Sequence, residues 1–517
     1  MTADAEDTTQ DKELPMTPDA GKYTGADAAA DPTTDVVIAG GGPVGLMLAC
    51  ELGLAGVRAV VLERTAGRPT VARAWGLHAR TVETLDRRGL LDGLMHEKAP
   101  WPKMPFAGLW PLLELGRIDA DHPYLLNVPQ TKVEEVLEAR ARALGVTVLR
   151  EHDVVGLAQD TDGVIAEVAA PDGELRVRGR WLVGCDGGRS TVRKLAGIAF
   201  PGTDATVGGM LCDCSLPTMA QERRGITRTE VGTVNINPRP NGVVRIVTNE
   251  FGRPHPDRDA PVTFEEFRGA VRRILGRDLA ITDPTFMTRF GDTTRLAERY
   301  RAGRVLLAGD AAHVHFPYGG LGLNLGLQDA ANLGWKLAAQ VRGWAPEGLL
   351  DSYETERRPA AEAVLDYSRT QLALLNPDRN VTALRTLFSR LLDLPEVNRH
   401  LAELATGAAT RLEPAGDHSL TGTFARDLTL KTADGDTSLV RLLHSGHGLL
   451  LDFSGKAQGV AEAWSPRVRA VRADGVAAPP ADALLIRPDG YVAWAAGPGD
   501  TEPEGLREAL TTWFGSV

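Results

Sequence analysis

The sequence predicts an α/β protein organised around a dinucleotide-binding unit, and three stretches carry that expectation. In each, a short aliphatic run meets glycine and a helical pattern follows: residues 35–39 before Gly40-Gly41-Gly42-Pro43-Val44-Gly45, Leu182-Val183 before Gly184-Cys185-Asp186-Gly187-Gly188, and Val305-Leu306-Leu307 before Gly309-Asp310. The strand–turn–helix setting is what turns a bare glycine pattern into a specific expectation.

In the first stretch the glycines fall as G-x-G-x-x-G. Gly40 permits the tight turn, Gly42 lets a pyrophosphate approach the backbone, and Gly45 lets the helix pack closely on the strand. Pro43 and Val44 lie in the same cradle, and the helix start offers N–H groups and a positive dipole end to phosphates. The bland alternative is a glycine-rich turn in front of a buried helix. Against it stands Glu63, closing a second aliphatic run about 20 residues on, where a carboxylate accepts hydrogen bonds from a ribose diol. Together these features point to an adenine dinucleotide.

The chain has 517 residues, enough for roughly two to four domains. Its 57 basic and 68 acidic residues give a net charge of −11, which argues against nucleic acid or an anionic membrane as partner. The cysteines, Cys50, Cys185, Cys212 and Cys214, make no disulfide framework. Their lone C-x-C lacks the second pair of a metal site, so buried thiols, no metal and a reducing cytoplasm are expected. Residues 1–34, rich in Ala, Asp and Thr, read as a disordered tail without the basic and apolar regions of a signal peptide. Glu51 interrupts the most apolar stretch before the ~18 residues a membrane helix needs.

Arg64 follows Glu63, and a loop leads to Arg73, whose guanidinium can reach a phosphate or the edge of a bound ring; a surface arginine is the plain alternative. Residues 91–125 are irregular and proline-rich and are expected to cover part of a pocket. Gln130 stands before a helix over 131–144 and either closes the loop or meets a cofactor. Short strands are expected at 146–149, 154–158, 164–169, 175–177 and 181–183, with a hairpin turn at Asp172-Gly173. Asp186-Gly187 alone reads equally as a turn, with Ser190 a candidate N-cap after it. Between 201 and 290, strand-like pieces alternate with turns around one helix, 264–275, which predicts a mixed β-sheet domain laid against the first. After a helical run over 354–404 the character changes near Pro414-Ala415-Gly416. The remainder reads as an α/β domain with strands at 448–452, 483–486 and 492–495 and no cysteine for dithiol chemistry.

The third motif is the richest. A buried strand delivers Asp310, able to accept hydrogen bonds from polyol hydroxyls, and a loop Pro317-Tyr318-Gly319-Gly320-Leu321-Gly322-Leu323-Asn324 precedes a long apolar helix. The glycines let backbone lie against a flat ring, and the helix start stabilises a developing anion. His313 and His315 beside it read as structural histidines.

These motifs in this order, Gly40-x-Gly42-x-x-Gly45 with Glu63-Arg64, Asp186-Gly187 with Arg193, and Gly309-Asp310, resemble the group A, single-component flavoprotein hydroxylases over residues 35–358. More narrowly, the chain resembles the FAD-dependent aromatic polyketide hydroxylases of actinomycetes. Those carry a redox-inactive thioredoxin-like C-terminal domain, and Leu485-Ile486-Arg487-Pro488-Asp489-Gly490-Tyr491-Val492-Ala493-Trp494 is similar to its terminal hairpin. The resemblance implies a Rossmann-like FAD-binding domain (35–200 and 291–410), a mixed β-sheet substrate domain (201–290) and a thioredoxin-like domain (415–517). It places the ADP half of FAD on the first motif with Glu63 on the ribose, and it brings Arg64, Arg73 and Gln130 to the cofactor. Asp310 falls on the ribitol or pyrophosphate, and Pro317, Gly319, Gly320, Gly322, Leu323 and Asn324 along the isoalloxazine. Asp186 serves FAD and a transient NADPH or NADH together, since the sequence has no second G-x-G-x-x-G unit. Leu321 and Leu325 depart from the family loop, where glutamine and threonine are common.

The activity so implied is a monooxygenase reaction. Nicotinamide reduces the flavin, O2 converts it to a C4a-hydroperoxide, and a phenol-like ring of a polycyclic aromatic polyketide takes up one oxygen atom. No side chain is needed as a covalent nucleophile, and none is assigned as a catalytic base. Baeyer–Villiger oxidation of a ketone by the same intermediate stays open, as does a non-catalytic FAD-binding partner role. A nicotinamide dehydrogenase leaves Asp310 unexplained, and a flavin halogenase lacks its W-x-W-x-I-P pattern. A monomer or homodimer is expected.

Overall fold

The computed structural model describes residues 33–72, 74–95, 100–239, 242–255, 257, 260–412, 418–474, 476, 478–497 and 505–517. Arg73, the tail over 1–32 and the domain boundary at 414–416 lie outside these described residues. Thr33 and Thr34, expected in the tail, belong instead to the first strand. They pair with Arg178 and Gly179, and Thr34 Oγ1 donates to Arg58 O at 2.8 Å.

Five parallel strands form the spine of the largest sheet, in the order Val305–Leu307, Gly173–Gly184, Thr33–Ala39, Ala59–Glu63, Thr147–Arg150. Thr33–Ala39 lies at its centre and is buried on both faces from Val36 onward, which is why it reads as an unbroken aliphatic run. Two helices cross each other on this sheet, Pro43–Leu54 and Leu321–Arg342. A Cβ on Gly334 would lie 2.3 Å from Glu51 Cβ, and one on Gly326 would lie 2.6 Å from Val44 Cγ2, so these glycines set how closely the helices approach.

The two strands expected at 175–177 and 181–183 are one 12-residue strand, Gly173–Gly184. Gly179 is what makes the sequence read as broken. It marks a close approach rather than a turn, since a Cβ there would lie 2.9 Å from Val37 Cγ2. The hairpin turn stands where expected, with Gly173 at φ +120°.

A second sheet is antiparallel, in the order Gly225–Arg228, Gly232–Pro238, Val244–Phe251, Val207–Ser215, Thr282–Gly291. Helix Phe264–Leu275 covers one face and buries Phe267, Val271 and Ile274 against Cys212, Cys214, Val234 and Ile246. Thr263 caps its start by accepting from Glu266 N, and Gly276 ends it in the left-handed region at φ +70°. The sheet reaches the first unit through Phe290, whose ring centre lies 6.0 Å from that of Phe316.

The expected helical run resolves into Ser352–Leu375, Arg379–Leu391 and Pro395–Thr406. These helices bury Tyr367, Leu392 and Ala402 against Phe106, Leu113 and Leu115 of the proline-rich segment. The last sheet has the order Val468–Arg472, Gly448–Asp452, Ala483–Ile486, Val492–Ala496, with the first pair parallel and the others antiparallel. Val468–Arg472 is an unexpected strand, because Arg469 and Arg472, three residues apart, break the period-two alternation and disguise an edge.

The turn after Ala483–Ile486 carries an ion network against the first unit. Arg487 forms a bidentate pair with Glu356 (2.7 and 2.8 Å) and a second pair with Asp489. Lys336 Nζ adds a bond to Glu356 (2.7 Å), and Trp335 Nε1 donates to Asp489 (3.1 Å). Nearby, Arg88 pairs with Glu51 (2.6 and 2.9 Å) while donating to Pro488 O (2.7 Å). Among the described residues no helix is long and apolar enough to cross a membrane, and no cluster of His, Cys, Asp and Glu is placed to hold a metal ion.

Candidate flavin site

The three glycine motifs meet in space. A Cβ on Gly40 (φ +107°) would lie 2.4 Å from Cys185 O and 3.1 Å from Asp186 Cα, which joins the first motif to the second. One on Gly309 (φ +63°) would lie 2.9 Å from Val44 Cγ2, which joins the third to the first. Both positions need φ values that glycine alone adopts freely. Arg193 ties the second motif to the third by donating to Gly188 O (3.2 Å) and Ala311 O (2.9 Å).

Gly42 is different. Its φ of −75° suits any residue, yet a Cβ there would meet nothing within 4 Å. This open space lies at the start of helix Pro43–Leu54, which has no side-chain cap and no acidic residue in its first turn. Room in front of uncapped N–H groups fits the pyrophosphate of a dinucleotide. Gly45 serves packing instead, since its Cβ would fall 2.0 Å from Gly40 O. Pro43 takes the first helical position, where a missing N–H costs nothing.

Glu63 reaches the glycine turn. Its Oε2 accepts from Gly41 N (2.7 Å), and Oε1 accepts from Thr65 N (2.9 Å) and Thr65 Oγ1 (2.7 Å). Arg64 beside it is exposed. Gln130 closes its loop, its backbone N–H donating to Ala74 O (3.1 Å) and its side chain to Glu134 Oε1 (2.8 Å). Asp186 Oδ2 accepts from Val192 N (3.0 Å), helping Ser190 cap that helix. Its Oδ1 is buried without a partner among the described residues, as suits a carboxylate that receives a cofactor hydroxyl.

Asp310 is exposed, and a Cβ on Gly322 would lie 3.7 Å from its Oδ1. Pro317 is exposed, and Gly319 and Gly320 are left-handed at φ +79° and +71°. The following helix starts at Leu321, with Gly320 as N-cap, and not after Asn324 as the sequence suggests. Its glycines hide the start, being poor helix formers. Gly322, Leu323 and Asn324 are therefore first-turn residues. The Asn324 side chain is engaged internally, donating to Gly320 O (2.8 Å) and Gly76 O (3.2 Å) and accepting from His78 N (2.8 Å).

His78 has no signal in the sequence beyond its place in a helical run. It is buried, and its Nε2 donates to Gly319 O at 3.0 Å, so it braces the tip of the loop. His313 is structural, as expected. Its Nε2 lies 2.7 Å from Asp329 Oδ2, and the same carboxylate accepts from Arg357 Nε (2.9 Å) and Gly309 N (3.2 Å). Asp329 thus anchors the Asp310 turn, which a lone acid inside an apolar helix hints at.

Burial pushes the pKa of both His78 and His315 down to about 4, since neither site solvates a charged ring. In the unfolded chain both take a proton below ~6.5. The stability that this difference contributes is present above pH ~6.5 and is lost as pH falls through about 4. Melting temperatures between pH 7 and 4 are expected to fall, with a shallower fall in His315→Gln. An unchanged slope in that variant would remove His315 from the account.

Residues 33–368 match the family described as FAD binding domain, and residues 418–517 match aromatic-ring hydroxylase, C-terminal. The chain is 47% identical over 498 residues (93% of this chain, 99% of the relative) to the 12-dehydrotetracycline 5-monooxygenase/anhydrotetracycline 6-monooxygenase of Streptomyces rimosus. It is 44% identical over 494 residues (93% and 99%) to a rifampicin monooxygenase of Streptomyces venezuelae. The solved structure of OxyS anhydrotetracycline hydroxylase from Streptomyces rimosus aligns with a TM-score of 0.88 at 46% identity, over 94% of this chain and 99% of that one. With the open cradle at Gly42 and the orphaned Asp186 oxygen both suited to the cofactor, the protein is an FAD-dependent aromatic monooxygenase, a member of the FAD-binding aromatic-ring hydroxylase family.

Proposed function

We propose that this enzyme hydroxylates a ring of a polycyclic aromatic polyketide in antibiotic biosynthesis, using FAD, O2 and NADPH or NADH, in the cytoplasm. The observation that carries the reading is the meeting of three motifs at one open cradle beside a flat, left-handed glycine loop. The tetracycline-oxidising relatives support the substrate class. When bound, FAD supplies nicotinamide oxidation and oxygen activation.

The chain's own residues would hold, orient and enclose it. The N–H groups after Gly42 would take the pyrophosphate, Glu63 the ribose hydroxyls, and Asp310 and Asp186 the polyol region. The first turn of Leu321–Arg342 would favour negative charge on a ring bound there. His78 and Asn324 keep that turn and the Gly319–Gly320 tip in register by the bonds described above. Phe290, Phe316 and Tyr318 form an apolar wall, with the last two rings parallel and 5.7 Å apart, and such a wall keeps bulk water from the reacting centre.

The test is NADPH consumption by the FAD-loaded protein with and without anhydrotetracycline and related polycyclic phenols. Stimulated consumption and a product heavier by one oxygen atom, labelled from 18O2, are expected, with NMR showing a new ring hydroxyl. A lactone product would replace ring hydroxylation by Baeyer–Villiger oxidation. Flavin-loaded protein without stimulation by any phenol of the panel would overturn the substrate class.

A further inference from the structure

Two buried polar groups on helix Ser352–Leu375 belong neither to the cofactor motifs nor to the ion network at the C-terminal sheet. Tyr367 and Gln371 stand one turn apart on one face of that helix. The Tyr367 ring packs on Phe106, ring centres 5.4 Å apart, and its hydroxyl is buried without a partner among the described residues. Burial alone pushes that phenol's pKa up. Gln371 is fully buried. Its Oε1 accepts from Ala107 N (3.2 Å), which fixes the amide's orientation and leaves Nε2 as a donor with no partner among the described residues. A Cβ on Gly319 would lie 3.6 Å from that Nε2 and 3.6 Å from Met104 Cε, so the amide lies at the tip of the flavin loop.

The backbone opposite this pair is strained. Ala107 sits at φ +47° and Gly108 at φ +62°. Arg385 holds both carbonyls, donating to Ala107 O (2.7 Å) and Gly108 O (3.3 Å), and a Cβ on Gly108 would lie 3.0 Å from Ile226 of the antiparallel sheet. A left-handed alanine persists where its surroundings over-determine it, as ligand clamps do. Tyr367 and Ala107 belong to one buried apolar cluster with Met104, Phe106 and Leu321, and Gln371 and the flavin-loop tip adjoin it at Met104. Apolar lining with a few convergent polar groups is the composition of a small-molecule pocket.

We propose that Tyr367 and Gln371 form an oxygen-reading subsite of the substrate cavity. Gln371 Nε2 donates to a ring carbonyl or phenolic oxygen, and the Tyr367 hydroxyl bonds a second oxygen of the same polycycle. The subsite rests on the aromatic-substrate reading above. It selects oxygenated rings over bare hydrocarbons, because a hydrocarbon leaves both buried groups unpaired.

Binding to the FAD-loaded enzyme, followed by quenching of protein fluorescence, tests it with two probes, 1,8-dihydroxyanthraquinone and anthracene. Tyr367→Phe removes only the hydroxyl. Gln371→Glu keeps an acceptor for Ala107 N–H while removing the donor. Bound-flavin absorbance reports that each variant is folded, and Tyr367→Phe decides alone if Gln371→Glu does not hold flavin. The wild type is expected to prefer the hydroxyquinone. Each variant is expected to weaken that probe about ten-fold, the scale of one neutral hydrogen bond, with anthracene affinity as in the wild type. Variants that bind both probes as the wild type does, or a wild type without the preference, overturn the subsite. A hydroxyquinone held through these residues but never oxygenated contradicts the proposed reaction and leaves the subsite standing.

Discussion

Gly42→Ala is expected to weaken FAD binding about a hundred-fold while changing the stability of the apoprotein by no more than about 1 kcal/mol. The folded chain accepts the methyl group, because Gly42 is at φ −75° and its Cβ would meet nothing within 4 Å. In the proposed site the bound cofactor does not, because that methyl would occupy the approach to the first N–H groups of helix Pro43–Leu54, where the pyrophosphate is proposed to come closest. Overpacking a filled site costs about 1–3 kcal/mol, and a further loss comes from phosphate hydrogen bonds held too long. Gly45→Ala is the contrasting case. Its Cβ would fall 2.0 Å from Gly40 O, so apoprotein stability and flavin should be lost together. FAD titration of the stripped proteins, paired with urea unfolding, separates the two. Parental affinity in Gly42→Ala would move the phosphates away from this helix start.

Arg487→Met is expected to destabilise the protein by about 3–5 kcal/mol, the usual cost of breaking a buried ion pair from one side. Arg487 is 1% exposed and carries the bidentate bonds to Glu356 together with those to Asp489. Without it, Glu356 keeps Lys336 as its ion partner while buried Asp489 keeps the neutral donors Asn332 Nδ2 and Trp335 Nε1, and desolvated charge of that kind is expensive. Arg487 also holds the Glu356 carboxyl well below the usual range, although burial by itself would raise it. The double change Arg487→Met, Asp489→Asn removes the unpaired charge, leaves Lys336 paired with Glu356 and should recover much of the loss. Urea unfolding of the FAD-loaded single and double variants is the measurement. A single-variant loss below about 1 kcal/mol would mean that water reaches the network.

The motifs were legible because each rests on chemistry confined to a few adjacent residues. A turn that demands φ +107° at Gly40, or an uncapped helix start beside Gly42, leaves its mark locally. Helix Phe264–Leu275, with Thr263 at its cap and Gly276 at its end, was legible for the same reason. Misreadings arose where a glycine answers to a distant neighbour. Gly179 resembles a turn until Val37 is seen against it, and Gly320 and Gly322 resemble loop until the helix that contains the second of them is seen.

From its sequence alone this protein's class and its cofactor were determined, since a dinucleotide-binding unit is written in short-range glycine and carboxylate spacing. Only the tertiary structure decided which residues steady the glycine turns and which polar groups lie buried beside them. His78 and Asn324 meet across 246 residues, and Gln371 and Ala107 across 264. Such contacts depend on how helices and sheets close over one another, and a burial shared by two distant side chains leaves no periodicity in either segment.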